Sequence, residues 1–146
     1  MMKNNREFGY FGEAVAADHL RQKGYKIIAR NYYAVGGELD VIARDDKNIV
    51  FCEVKTRYDG SSLRYGRPAA AVGARKRGSI VAAARQYLFD HPDAAPPRID
   101  VIEITVFTCT DVSGGKWYIV KEINQIENAV TASGADRFRA VDRRTL

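Results

Sequence analysis

The chain has 146 residues, enough for one domain with one core. Apolar residues make up 46% and charged residues 28%, the balance of a folded soluble protein, and no apolar run reaches the roughly 18 residues that a membrane helix needs. The net charge of +5 suits a polyanionic partner, although many basic proteins bind no nucleic acid.

A first helix is expected over residues 7–23. There Glu13, Ala16, Ala17 and Leu20 recur at helical spacing, and Gly24 supplies a C-terminal stop. Residues 25–33 (YKIIARNYY) are rich in aromatic and β-branched side chains and read as a strand, which Gly36-Gly37 breaks. Two more strands, residues 38–44 and 49–57, flank Asp45-Asp46-Lys47-Asn48, a tetrapeptide of turn composition. Residues 58–68 hold two glycines, two serines and a proline and read as a loop. A second helix over residues 74–90 carries Ile80, Ala83, Ala84, Tyr87 and Leu88 on one stripe, and His91-Pro92 ends it. Residues 98–108 and 117–121 read as a fourth and a fifth strand, followed by a short helical turn at residues 124–130. Residues 134–146, with Arg137, Arg139, Arg143 and Arg144, read as a flexible tail, which leaves residues 1–133 as one domain. This order, helix, three strands, helix and two strands, predicts an α/β domain with a mixed sheet flanked by helices.

Cys52 and Cys109 fall in β-like apolar runs and are expected to be buried free thiols. No Cys-x-x-Cys or histidine cluster points to zinc, and His19 and His91 lie far from the acidic residues discussed next. Residues 1–6 are polar, without the apolar stretch of a signal peptide, so a cytoplasmic location is expected.

The chemistry concentrates in the hairpin of strands two and three. With its turn centred between Asp46 and Lys47, Asp40 falls opposite Glu53 and Glu38 opposite Lys55. Alternation then puts Glu38, Asp40, Ile42, Phe51, Glu53 and Lys55 on one face and Leu39, Val41, Ala43, Val50, Cys52 and Val54 on an apolar one. Acidic and basic residues on a strand commonly form a solvated ladder. Two directly opposed carboxylates differ, because they repel, and they need a neutraliser. Lys55 is one. A divalent cation is a better one, since Mg²⁺ takes one or two carboxylates plus water and phosphate oxygens. Asp40 and Glu53 fit that role, with the carbonyl of Val54 as a further oxygen. Lys55 could then orient a water or stabilise charge on a phosphate.

The motif Gly-Gly-Glu-Leu-Asp (36–40) followed by Phe-Cys-Glu-Val-Lys-Thr-Arg (51–57) resembles the signature of the PD-(D/E)XK, or restriction-endonuclease-like, superfamily. More narrowly, the chain resembles the YraN-like family of predicted endonucleases, relatives of archaeal Holliday-junction resolvases. The likeness runs from about Phe8 to Val130 and includes Phe11-Gly12-Glu13, Ala29-Arg30-Asn31-Tyr32, Tyr65-Gly66-Arg67-Pro68, Ala71-Val72, Arg75-Lys76 and Arg98-Ile99-Asp100-Val101. Relatives often carry a polar or basic residue near Val35 and Gly73, where this chain is apolar or small. The resemblance implies an αβββαβ core, Mg²⁺ or Mn²⁺ at Asp40 and Glu53, and Lys55 as the catalytic lysine. It also implies that Glu13 completes the site and that Glu38 partners Lys55 instead of binding metal. Glu13 also shares a helix face with small residues, where an acid either meets a partner or reaches water at the edge.

Arg57, Arg64, Arg67, Arg75, Lys76 and Arg77 follow closely, interleaved with Tyr58 and Tyr65, a composition suited to holding DNA phosphates and stacking a base. The expected function is metal-dependent hydrolysis of DNA phosphodiester bonds, with branched or repair intermediates among the substrates. The alternative is a non-cleaving nucleic-acid- or protein-binding module on a nuclease fold. Resolvases act as dimers on two-fold junctions, so the resemblance points by analogy to a homodimer.

Overall fold

The computed structural model describes residues 2–59 and 72–130. Its elements in chain order are α1 (Met2–Gln22), β1 (Lys26–Ala34), β2 (Gly37–Arg44), β3 (Ile49–Tyr58), α2 (Ala74–Asp90), β4 (Pro97–Thr110) and β5 (Lys116–Ile126). The five strands form one sheet in the order β1-β2-β3-β4-β5. Every neighbouring pair is antiparallel except β3 and β4, which run parallel. Parallel neighbours need a long crossover, and the segment carrying α2 provides it. The fold is thus a mixed α/β sheet flanked by two helices, with an αβββαβ core extended by β5.

The two helices take opposite faces. Ala16 and Leu20 of α1 join Val41, Ala43, Val50, Cys52, Ile102 and Ile104 in one buried cluster. Ile80, Ala83, Ala84, Tyr87 and Leu88 of α2 join Leu39, Ile42, Phe51 and Ile99 in the other. The stripe read from the second helix is therefore its core face, and its limits are those expected. The β2–β3 turn is set by Asp45, whose carboxylate accepts the backbone N–H groups of Lys47 and Asn48 at 2.8 Å each.

Two glycines let the helices approach closely. A side chain at Gly12 of α1 would run into the Thr56 side chain of β3, and one at Gly37 of β2 would run into the Ser79 backbone of α2. They flank Glu13 and Glu38 in sequence. On β4, beside Cys52, Asp100 is wholly buried. Arg98 donates to it from Nε at 2.9 Å and from Nη2 at 3.0 Å, Gln125 Nε2 donates at 2.9 Å, and the Asn128 backbone N–H at 3.1 Å. Arg98 also donates to the Tyr25 hydroxyl at 2.7 Å, tying β4 to the end of α1. The Arg-Ile-Asp run is thus a structural tie, well supplied with partners.

Three expectations need correction. Residues 124–126 are strand, paired with Val101–Glu103 of β4 as Val101↔Ile126, Ile102↔Gln125 and Glu103↔Asn124. The chain turns just beyond, with Asn128 left-handed at φ 54° and its N–H bound by Asp100, which rules out a helix there. Cys52 is a buried free thiol as expected, but Cys109 is exposed, beside its exposed strand partner Trp117. Leu39 lies with Ile42 on the α2 side, not with Val41 on the α1 side. Among the described residues no helix is long and apolar enough to cross a membrane.

Candidate active site

The β2–β3 ladder has the expected register, Arg44↔Ile49, Ala43↔Val50, Ile42↔Phe51 and Val41↔Cys52, and it stops there. The next pair, Asp40 with Glu53, does not form. Asp40 instead uses its own carboxylate as a ladder acceptor, taking the backbone N–H of Val54 at 2.8 Å. The strands part at this point. The same level of β1 is irregular: Asn31 sits in mid-strand at φ 52°, left-handed for a residue with a side chain. Tyr32↔Leu39 resumes the β1–β2 pairing beyond it. The side-chain alternation shifts across this break, which explains why Leu39 changes face.

The carboxylates gather around the break. Glu53 is 7% exposed, and its pKa is pushed up to about 8, first by burial and then by the Asp40 charge. Lys76 of α2 and Lys55 oppose that rise, with Lys76 Nζ 3.6 Å from Glu53 Oε1. Glu13 of α1 is also raised, by burial first and by Asp40 second. A hydrogen bond with Asn31 and the charge of Arg30 pull it back, and Glu38 adds to the rise. Asp40 therefore stands between two acids that come from different elements, Glu13 on α1 and Glu53 on β3.

One oxygen of each flanking acid is left over. Glu13 Oε1 is buried with no hydrogen-bond partner among the described residues, and Glu53 Oε1, also buried, has only the Lys76 ammonium nearby, at 3.6 Å and beyond hydrogen-bond range. Buried carboxylate oxygens without partners are costly, and a hard divalent cation is the partner that such oxygens fit. Among the described residues no three His, Cys, Asp or Glu side chains enclose a metal by themselves.

Glu38 lies beside Glu13 and Asp40, lining a shallow pocket of about 230 Å³ with Arg6, Gly9, Tyr10, Asn31 and Tyr33. The ladder position that would place Glu38 opposite Lys55 is not formed. Of Val54, the backbone N–H is the group seen engaged. Arg57 is half-buried on β3, with its Nε lacking a partner among the described residues. Arg75, Lys76 and Arg77 occupy the first turn of α2, which begins at Gly73 with no side-chain cap and no acidic residue. Tyr58 stacks on Phe8 at 4.3 Å, so one face of its ring is covered. Arg64, Tyr65, Arg67 and the arginine-rich tail lie outside the described residues. The residues that sequence reasoning missed are Arg6, Tyr10, Arg30, Asn31 and Tyr33. The 6, 10, 13 spacing on α1 and an Asn in an otherwise β-branched and aromatic strand were the available signals.

The model of the uncharacterised protein family UPF0102 matches residues 12–104, a span that holds every carboxylate of this site. A UPF0102 protein of Syntrophomonas wolfei is 48% identical over 103 residues, covering 70% of this chain and 87% of the relative. One of Clostridioides difficile is 38% identical over 127 residues, covering 86% of this chain and 98% of its own. One of Frankia casuarinae is 43% identical over 105 residues, covering 71% and 86%.

Proposed function

The chain belongs to the uncharacterised protein family UPF0102, and we propose that it is a metal-dependent endonuclease that hydrolyses phosphodiester bonds in DNA, including branched repair intermediates. One observation carries this reading. Three acids from α1, β2 and β3 gather where the sheet ladder breaks; Glu13 Oε1 is buried without a hydrogen-bond partner among the described residues, and buried Glu53 Oε1 faces only the Lys76 ammonium, at 3.6 Å. A buried acidic cluster of this kind is costly, and a bound cation would offset the cost.

Asp40 and Glu53 would hold Mg²⁺ or Mn²⁺, with the Val54 carbonyl as a further oxygen donor. When bound, the ion neutralises these carboxylates and polarises the phosphate. Asp40 is fixed for its task by the Val54 N–H. Lys55 lies close enough to act electrostatically on Glu53. Its amine serves to orient the attacking water or to stabilise the charge developing on the phosphate. Glu13 completes the acidic set from the α1 side, steadied by Asn31 and Arg30. The first turn of α2 presents a positive helix end together with Arg75, Lys76 and Arg77, an arrangement that favours DNA phosphates.

The test is cleavage of a four-way junction, a flap and a linear duplex, each with Mn²⁺ and with chelator. Cleavage is expected with the metal, and Asp40→Asn and Lys55→Ala should each lower its rate by about 10² to 10⁴-fold. Full activity in both variants would refute the assigned roles. DNA binding of ordinary salt dependence, with neither metal binding nor cleavage, would identify a non-cleaving binding module instead.

A further inference from the structure

We propose that the pocket between α1 and β1 receives a single unpaired nucleotide of the DNA, stacked on Tyr10 and Tyr33 with its phosphates held by Arg6 and Arg30. This rests on reading the adjoining carboxylates as a DNA-cleaving site. The pocket, about 230 Å³, is on the scale of one nucleoside and opens directly beside Glu13 and Asp40. Tyr10 is 52% exposed and Tyr33 71% exposed, although both line it. Tyrosine rings left in water next to a phosphate-handling site are stacking faces for bases. In a continuous duplex those base faces are covered by neighbouring pairs, so the arrangement selects nucleotides that are unstacked, in single strands or at gaps and frayed branch points.

Gly9 points the same way independently. It lies inside α1 on the pocket wall, where glycine is destabilising relative to alanine. Its φ is not in the positive range, and an added Cβ would meet no atom within 4 Å. Neither backbone conformation nor packing therefore calls for a glycine here, in contrast to Gly12, where Thr56 does. What the missing side chain preserves is the open space of the pocket. Arg6 lines the pocket and Arg30 acts electrostatically on Glu13, cations set beside the three acids, Glu13, Glu38 and Asp40, that share the lining.

The experiment uses the full chain with chelator present, so that nothing is cut. The probes are an oligonucleotide carrying 2-aminopurine, free and annealed to its complement. The wild type is expected to prefer the single strand and to quench the 2-aminopurine by stacking. The double variant Tyr10→Ala/Tyr33→Ala should weaken single-strand binding by about 5- to 100-fold and lose the quenching, while duplex binding changes by less than about twofold. Tyr10→Phe/Tyr33→Phe should keep both. Gly9→Leu should weaken single-strand binding without lowering the thermal midpoint. Equal losses on both DNAs, no loss in the alanine pair, or a wild-type preference for duplex would overturn the proposal. None of these readouts depends on cleavage, so a Lys55→Ala variant that cuts normally would sink the catalytic assignment and leave this result standing.

Discussion

Glu53 keeps its proton well above the ordinary carboxylate value of 4.5, to about pH 8, because burial and Asp40 both oppose its charge. Between those limits the folded chain holds a proton that the unfolded chain has already released. Stability therefore falls as pH rises through that window, by at most ~1.4 kcal/mol per pH unit. Denaturant unfolding of the metal-free protein near both ends of the window should show this loss, and Glu53→Gln should remove most of it. A wild-type stability that is flat across the window would contradict the assignment. A divalent cation needs the ionised form, so Mg²⁺ affinity should climb over the same window and level off above it, measurable by calorimetry. The acids themselves were legible from spacing, since Asp40 and Glu53 are near neighbours on either reading. Their exact relation was not, because it depends on a side chain displacing a backbone pair, and nothing in the alternation of polar and apolar residues reports that. Tyr10 and Tyr33 were missed for a related reason: exposed aromatics look like ordinary helix and strand residues until the pocket is seen.

The elements holding those residues are pinned at two glycines. Gly12→Ala would push against the Thr56 side chain, and Gly37→Ala against the Ser79 backbone. A side chain can yield where a backbone cannot, so the second change is expected to cost more, each in the range of roughly 1–3 kcal/mol. Urea midpoints of the two variants decide the order, and Gly37→Ala being the milder one would show that α2 is free to shift. Nearly all elements could be read in advance. The second helix was exact because its apolar stripe and its His91-Pro92 stop agree, and β2 and β3 because a turn-forming Asp45 separates two β-rich runs. β5 was read too short. Its second half is polar and lightly buried, so its pairing with β4 leaves little trace in residue type.

On the scale of the whole molecule, the positive charge has a place as well as a sum. Arg75, Lys76 and Arg77 stand at the positive end of α2, near Glu53 through Lys76. Replacing Arg75 or Arg77 by alanine should weaken binding on all DNA sequences alike and reduce the slope of log affinity against log salt by about one for each phosphate no longer neutralised. Asp100 ties β4 to β5 and to Arg98, and Asp100→Ala should destabilise the fold by ~3–5 kcal/mol, since Arg98 would be left without its counter-charge. Thermal unfolding measures it, and a loss below that range would mean that Tyr25 and Glu127 suffice for Arg98. Finally, strand order in the sheet is the same as strand order along the chain. All of the site's acids belong to the stretch ending at Glu53, whose strands join through short hairpins, whereas the parallel partner β4 arrives only after the long excursion through α2. As the chain emerges from a ribosome, this acidic set is made first and waits in water, fully ionised. Its reluctance to ionise comes from burial and from the acids' own mutual repulsion, while Lys76, delivered later on α2, works the other way.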